Sequence, residues 1–170
     1  YVLEKATIDL KSNKIANSNR ILRAAADKEI ITPSGQPALA GFAPKRLSLA
    51  VHDDLYARCL VVEFPTGEKL AIVTLDLLGF MRYDVLKVRK RVRELGIIHP
   101  DYLIITSTHQ HSGPDPIGIW GRFFAVPPNV SGSGRDENYL EGVRDKIVNL
   151  VQRTIIKLET AELSVIETSG

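Results

Sequence analysis

The sequence predicts an α/β protein with a mixed, largely parallel sheet flanked by helices, and three observations point there. Two runs of branched apolar residues, 55–64 and 69–75, stand on either side of Pro65-Thr66-Gly67-Glu68, a good hairpin turn. A stretch with helical spacing, residues 83–95, separates them from another apolar run, Tyr102-Leu103-Ile104-Ile105. A second amphipathic helix follows at 136–158. Strand and helix alternate as in α/β proteins, and a strand–helix–strand crossover favours parallel neighbours.

In chain order, residues 1–20 are polar and rich in Asn, Lys and Ser, with one alternating stretch, Ala6-Thr7-Ile8-Asp9-Leu10. They read as a short strand or an unanchored tail. Residues 21–31 can be helix or strand, and Thr32-Pro33-Ser34-Gly35 ends them either way. A loop-like segment, 36–54, carries Gly41 and His52-Asp53-Asp54. Leu70-Ala71-Ile72-Val73 is apolar at every position, which predicts a strand covered on both faces and ending at Asp76. In the first helix Val85, Val88 and Val92 line one side, with Lys87, Arg89, Lys90, Arg91 and Arg93 on the rest. Residues 115–135 form a long irregular segment containing Trp120, Phe123 and Phe124. The second helix is acidic in its first turns, as the helix dipole prefers. Leu163-Ser164-Val165-Ile166 is read as a last strand.

Composition narrows the function classes. With 22 basic and 20 acidic residues among 170, the charges nearly cancel. No basic stripe interleaves with aromatics, so nucleic acid is excluded as a partner and the basic helix face is read as solvated. Cys59 is the lone cysteine, inside an apolar run, and is read as a buried thiol rather than a nucleophile. No apolar run is long enough to span a bilayer.

Chemistry concentrates in Thr106-Ser107-Thr108-His109-Gln110-His111-Ser112-Gly113-Pro114-Asp115, which holds two of the four histidines. Alternate strand residues share a face, so both imidazoles project together if the strand persists and diverge if the chain has begun to turn. Two imidazoles where a buried strand opens into a loop suit a transition-metal site, or a polar cap at a sheet edge. Sites in α/β sheets gather at the carboxyl ends of strands. Asp76 ends one strand there, as a metal ligand, an acceptor fixing a histidine tautomer, or a helix cap. A catalytic zinc takes about three protein ligands, so two histidines do not close a site. Ser107 and Ser112 flank the pair without a G-x-S-x-G elbow, and no phosphate-loop or dinucleotide fingerprint is present.

Five blocks occur in order: Ile31-Thr32-Pro33, Leu39-Ala40-Gly41-Phe42, Val51-His52-Asp53-Asp54-Leu55-Tyr56-Ala57-Arg58, Val73-Thr74-Leu75-Asp76-Leu77, and Ser107 through Asp115. Together they resemble the N-terminal catalytic domain of the neutral/alkaline non-lysosomal ceramidases and their bacterial relatives, from about Arg23 to the end of the chain. The histidine block is the specific one; the others persuade through their order.

The resemblance implies a zinc-dependent amide hydrolase that cleaves N-acylsphingosine to a sphingoid base and a fatty acid. It implies zinc as cofactor, His109 as a metal ligand, and His111 as a catalytic and substrate-binding group. Gly41 lines the pocket and Asp76 supports the site from behind. Gln110 stands where the family has Thr, and His52 matches a structural position. The family's remaining ligands, a histidine, a glutamate and a tyrosine, lie beyond residue 170. The resemblance thus makes 21–170 the first part of a larger catalytic domain, inactive by itself. It further implies a lipid-like amide substrate, ceramide in the first instance, peripheral membrane contact, and a secreted or periplasmic location. The competing expectations are a metal-dependent hydrolase of another small amide or ester, and an inactive binding module.

Overall fold

The structure is a computed structural model and describes residues 21–42, 46–120 and 135–164. Among these the elements are β1 (Arg23–Ile30), β2 (Tyr56–Glu63), β3 (Lys69–Leu75), α1 (Arg82–Glu94), β4 (Leu103–Ser107), α2 (Glu137–Ile156) and β5 (Glu159–Thr160). A 3-10 turn, Pro100–Tyr102, leads into β4. The alternating stretch at residues 6–10 and the aromatics Phe123 and Phe124 lie outside the described residues.

The sheet runs β4-β3-β2-β1-β5, so the fold is α/β with a mixed sheet. Antiparallel pairing predominates: β1 with β2, β2 with β3 and β1 with β5. The parallel pair is β3 with β4, joined through α1. This balance differs from the largely parallel sheet expected, because the tight turn after β2 forces reversal and only the α1 crossover returns the chain in the same sense. The ambiguous run 21–31 is strand: β1 pairs with β2 from Arg23↔Glu63 to Ile30↔Tyr56, and that ladder overrides the helix preference of three adjacent alanines. Among the described residues the last strand is Glu159–Thr160 and Leu163 and Ser164 are irregular, while Val165 and Ile166 of the expected strand lie outside the described residues.

Both helices pack on one face of the sheet. Ala57, Cys59 and Val61 of β2 and Ala71, Val73 and Leu75 of β3 meet Val88 and Val92 of α1 and Val143, Ile147, Leu150 and Val151 of α2 in a single buried cluster. The opposite face carries a row in register, Ala26, Leu60, Ile72 and Ile104. On that row Leu60 and Ile104 stand 42% and 45% exposed. Cover on both faces of β3, expected from its apolar run, is therefore not met among the described residues.

The helices are tied to each other by ions. Asp84 at the start of α1 is fully buried and accepts from Arg144 of α2 and from Arg135, the latter at 2.9 and 3.0 Å. Arg91 of α1 bonds Glu141 and Asp145 of α2, and Arg89 donates to the Leu103 carbonyl at 2.9 Å. Much of the basic face of α1 is thus engaged within the fold. No helix of the described residues is long and apolar enough to cross a membrane.

Candidate active site at the β3 and β4 ends

The parallel ladder between β3 and β4 ends at Leu75↔Ser107. Past it the two strand exits stay hydrogen-bonded, Thr108 N to Leu75 O at 2.9 Å and His109 N to Leu77 O at 3.0 Å. The chain then turns. His109 has φ 59°, a left-handed conformation that a non-glycine residue adopts at a cost of about 1–3 kcal/mol. The turn does not part the imidazoles: the His109 and His111 rings lie 5.2 Å apart between centroids, edge to face at 68°.

Each ring has its own support. His109 Nδ1 sits 2.8 Å from the Leu78 carbonyl oxygen. A carbonyl only accepts, so Nδ1 carries the hydrogen and the neutral ring keeps its Nε2 lone pair free. Metal-ligating histidines are held in this way, by a carbonyl on the nitrogen away from the metal. His109 is exposed, so that lone pair is accessible. His111 is half-buried against Gly41, where an added Cβ would lie 2.3 Å from His111 Nδ1. Gly41 has φ 80°, and the ring of Phe42 meets His111 edge-on at 6.1 Å. The loop that brings them there is anchored by bridges Ala38↔Leu47 and Leu39↔Pro114 and by Ala40 N donating to Gly113 O at 3.0 Å.

Asp76 lies at the same sheet end, but its carboxylate turns towards β2. It accepts from Tyr56 N at 3.0 Å and Arg58 Nη1 at 2.6 Å. It caps no helix, since α1 starts at Arg82 behind Met81. Its contact with the histidine loop is through its backbone carbonyl, which accepts from Gln110 Nε2 at 2.8 Å. His52 is at the surface, 97% exposed, and its hydrogen bond to Asp53 at 2.7 Å raises its pKa.

Sequence reasoning missed three groups. The Leu78 carbonyl has no signature, because any residue supplies one. Gln110 was noted only as standing where the family has Thr. Asp115, 8% exposed, folds the next segment by accepting from Ile117 N, Gly118 N and Trp120 N at 3.0, 2.8 and 2.6 Å. An Asp followed two to three residues later by Gly is the local signal that could have found it.

The described residues contain no group of three or more His, Cys, Asp or Glu able to hold a metal ion. The two imidazoles, one with a fixed tautomer, fit zinc as part of a donor set rather than the whole of one.

No family model matches the sequence, and no curated protein does. Solved structures do match. A ceramidase complexed with C2 superposes with a TM-score of 0.67 at 21% identity, covering 84% of this chain and 22% of that one. The neutral ceramidase from Pseudomonas aeruginosa gives a TM-score of 0.64 at 23% identity, with the same two coverages. The chain therefore spans about a fifth of the length of these structures. The likeness is one of fold, and it points to the same proteins as the five sequence blocks.

Proposed function

We propose that this chain supplies part of the active site of a zinc-dependent amide hydrolase acting on N-acylated sphingoid bases. The observation that carries the reading is the His109 ring, held through Nδ1 by the Leu78 carbonyl with its Nε2 lone pair open beside His111. In this reading His109 is a metal ligand and the remaining donors come from outside the described residues. When bound, zinc supplies a Lewis acid and an acidified water. His111 hydrogen-bonds the developing oxyanion or protonates the leaving amine. Gly41 leaves space for the His111 ring, and Asp76 steadies the loop through its carbonyl. Phe42, 38% exposed at the edge of His111, offers an apolar wall to an acyl chain. Peripheral membrane contact and a secreted or periplasmic location belong to the same proposal.

The test is hydrolysis by full-length protein of a panel of N-acylsphingosines and short N-acyl amides, with and without a zinc chelator. The reading expects fatty acid release from N-acylsphingosine, abolished by the chelator. Preference for short polar amides assigns a different substrate, and no hydrolysis of either favours a binding module.

A further inference from the structure

We infer that Gln110 is a positioning residue that holds the His109–His111 turn in its ligating geometry, an inference that rests on the proposed metal site. Its side chain spans two strand exits. Nε2 donates to Asp76 O at 2.8 Å, and Oε1 accepts from Ser112 N at 2.6 Å. Asp76 O can only accept and Ser112 N can only donate, so the amide has one orientation that satisfies both. The clamp closes around the residue pair that the site depends on: one end lies before the α1 crossover and the other directly after His111.

A second observation comes from Gly113. A Cβ there would lie 2.1 Å from Gln110 Nε2 and 3.2 Å from Leu55 Cδ1. Gly113 is not among the glycines of positive φ, so its backbone does not call for glycine. An alanine there would have to displace the Gln110 amide, the far end of a flexible side chain. Gln110 and Gly113 thus form one unit, a clamp and the room made for it. The left-handed turn at His109 is secured immediately upstream of that clamp by its own N–H to Leu77 O and its ring to Leu78 O. A side chain lacking the donor loses the tie to Asp76 O, and one lacking the acceptor loses the bond from Ser112 N.

The experiment compares wild-type full-length protein with Gln110→Met, which keeps the length and volume but makes neither bond. Two quantities are read: zinc affinity by chelator competition, and the His109 tautomer from ¹⁵N-histidine spectra of zinc-free protein with neutral imidazoles. Gln110→Met is expected to melt cooperatively, to lose the predominance of the Nδ1-protonated His109 form, and to bind zinc about ten- to a hundredfold more weakly. Unchanged tautomer and unchanged affinity overturn the inference. If Gln110→Met does not fold, Gly113→Ala displaces the amide while retaining it and carries the same expectation. Wild-type protein that takes up no zinc removes the metal reading alone, because the tautomer comparison still decides whether Gln110 holds the turn.

Discussion

A methyl group added at residue 41 would stand 2.3 Å from His111 Nδ1, so the glycine and the imidazole occupy their places only together. Gly41→Ala forces a left-handed φ on alanine and pushes the His111 ring away. The expected cost is about 1–3 kcal/mol in urea denaturation, with a displaced His111 resonance. A variant as stable as wild type with His111 unmoved would contradict the packing described here. At this scale the sequence was legible where side chains carry distinctive chemistry. His109 and His111 stood out by residue type and Gly41 only through the family resemblance, and the structure brings the three together. The Leu78 carbonyl did not stand out, since backbone groups are written in no residue letter. Asp76 was placed at the correct strand end, yet which way its carboxylate turns depends on Arg58 and Tyr56 across the sheet, a tertiary choice.

Between elements, α2 is fastened by carboxylates whose partners keep them ionised. Asp27 of β1 accepts from Lys157 Nζ and Arg153 Nε, each at 2.7 Å, and these bonds hold its pKa well below the usual carboxylate range. Glu141 is lowered to about 2, first by its bond to Arg144 and then by Arg91. Both folded pKa values lie below the unfolded ones, so the unfolded state binds more protons in acid. Their stabilisation is complete above the unfolded carboxyl pKa of about 4 and fades as pH falls towards the folded values. Thermal melts from pH 6 to pH 3 are expected to show falling Tm, with a shallower fall in Asp27→Asn; parallel, flat profiles would refute the assignment. The helices and the β2–β3 hairpin were legible because their periodicity and turn are local. The strand identity of residues 23–30 was not, because it is decided by pairing with β2, from which β1 is separated by the 25 residues 31–55. The strand at Glu159–Thr160 was not read, because two residues of pairing leave almost no pattern.

Over the whole molecule, the α/β class and the β3–α1–β4 crossover followed from the order of elements, and that crossover sets both histidines at a strand end beside β3. The predominance of antiparallel pairs was not legible, since the sequence order of strands does not state which edge each one joins. Nor was the exposure of Leu60 and Ile104 among the described residues, because an apolar strand pattern looks the same whatever supplies its cover. The fold recurs in solved ceramidases over 22% of their length, and in the proposed reading His109 joins zinc donors from outside the described residues. The central claim is that His109 is a zinc donor. Zinc content of full-length protein, wild type against His109→Asn, tests it most directly, because Asn tolerates the left-handed turn while removing the imidazole. The account predicts stoichiometric zinc in the wild type and its loss in a folded His109→Asn protein. Equal zinc in both would contradict it.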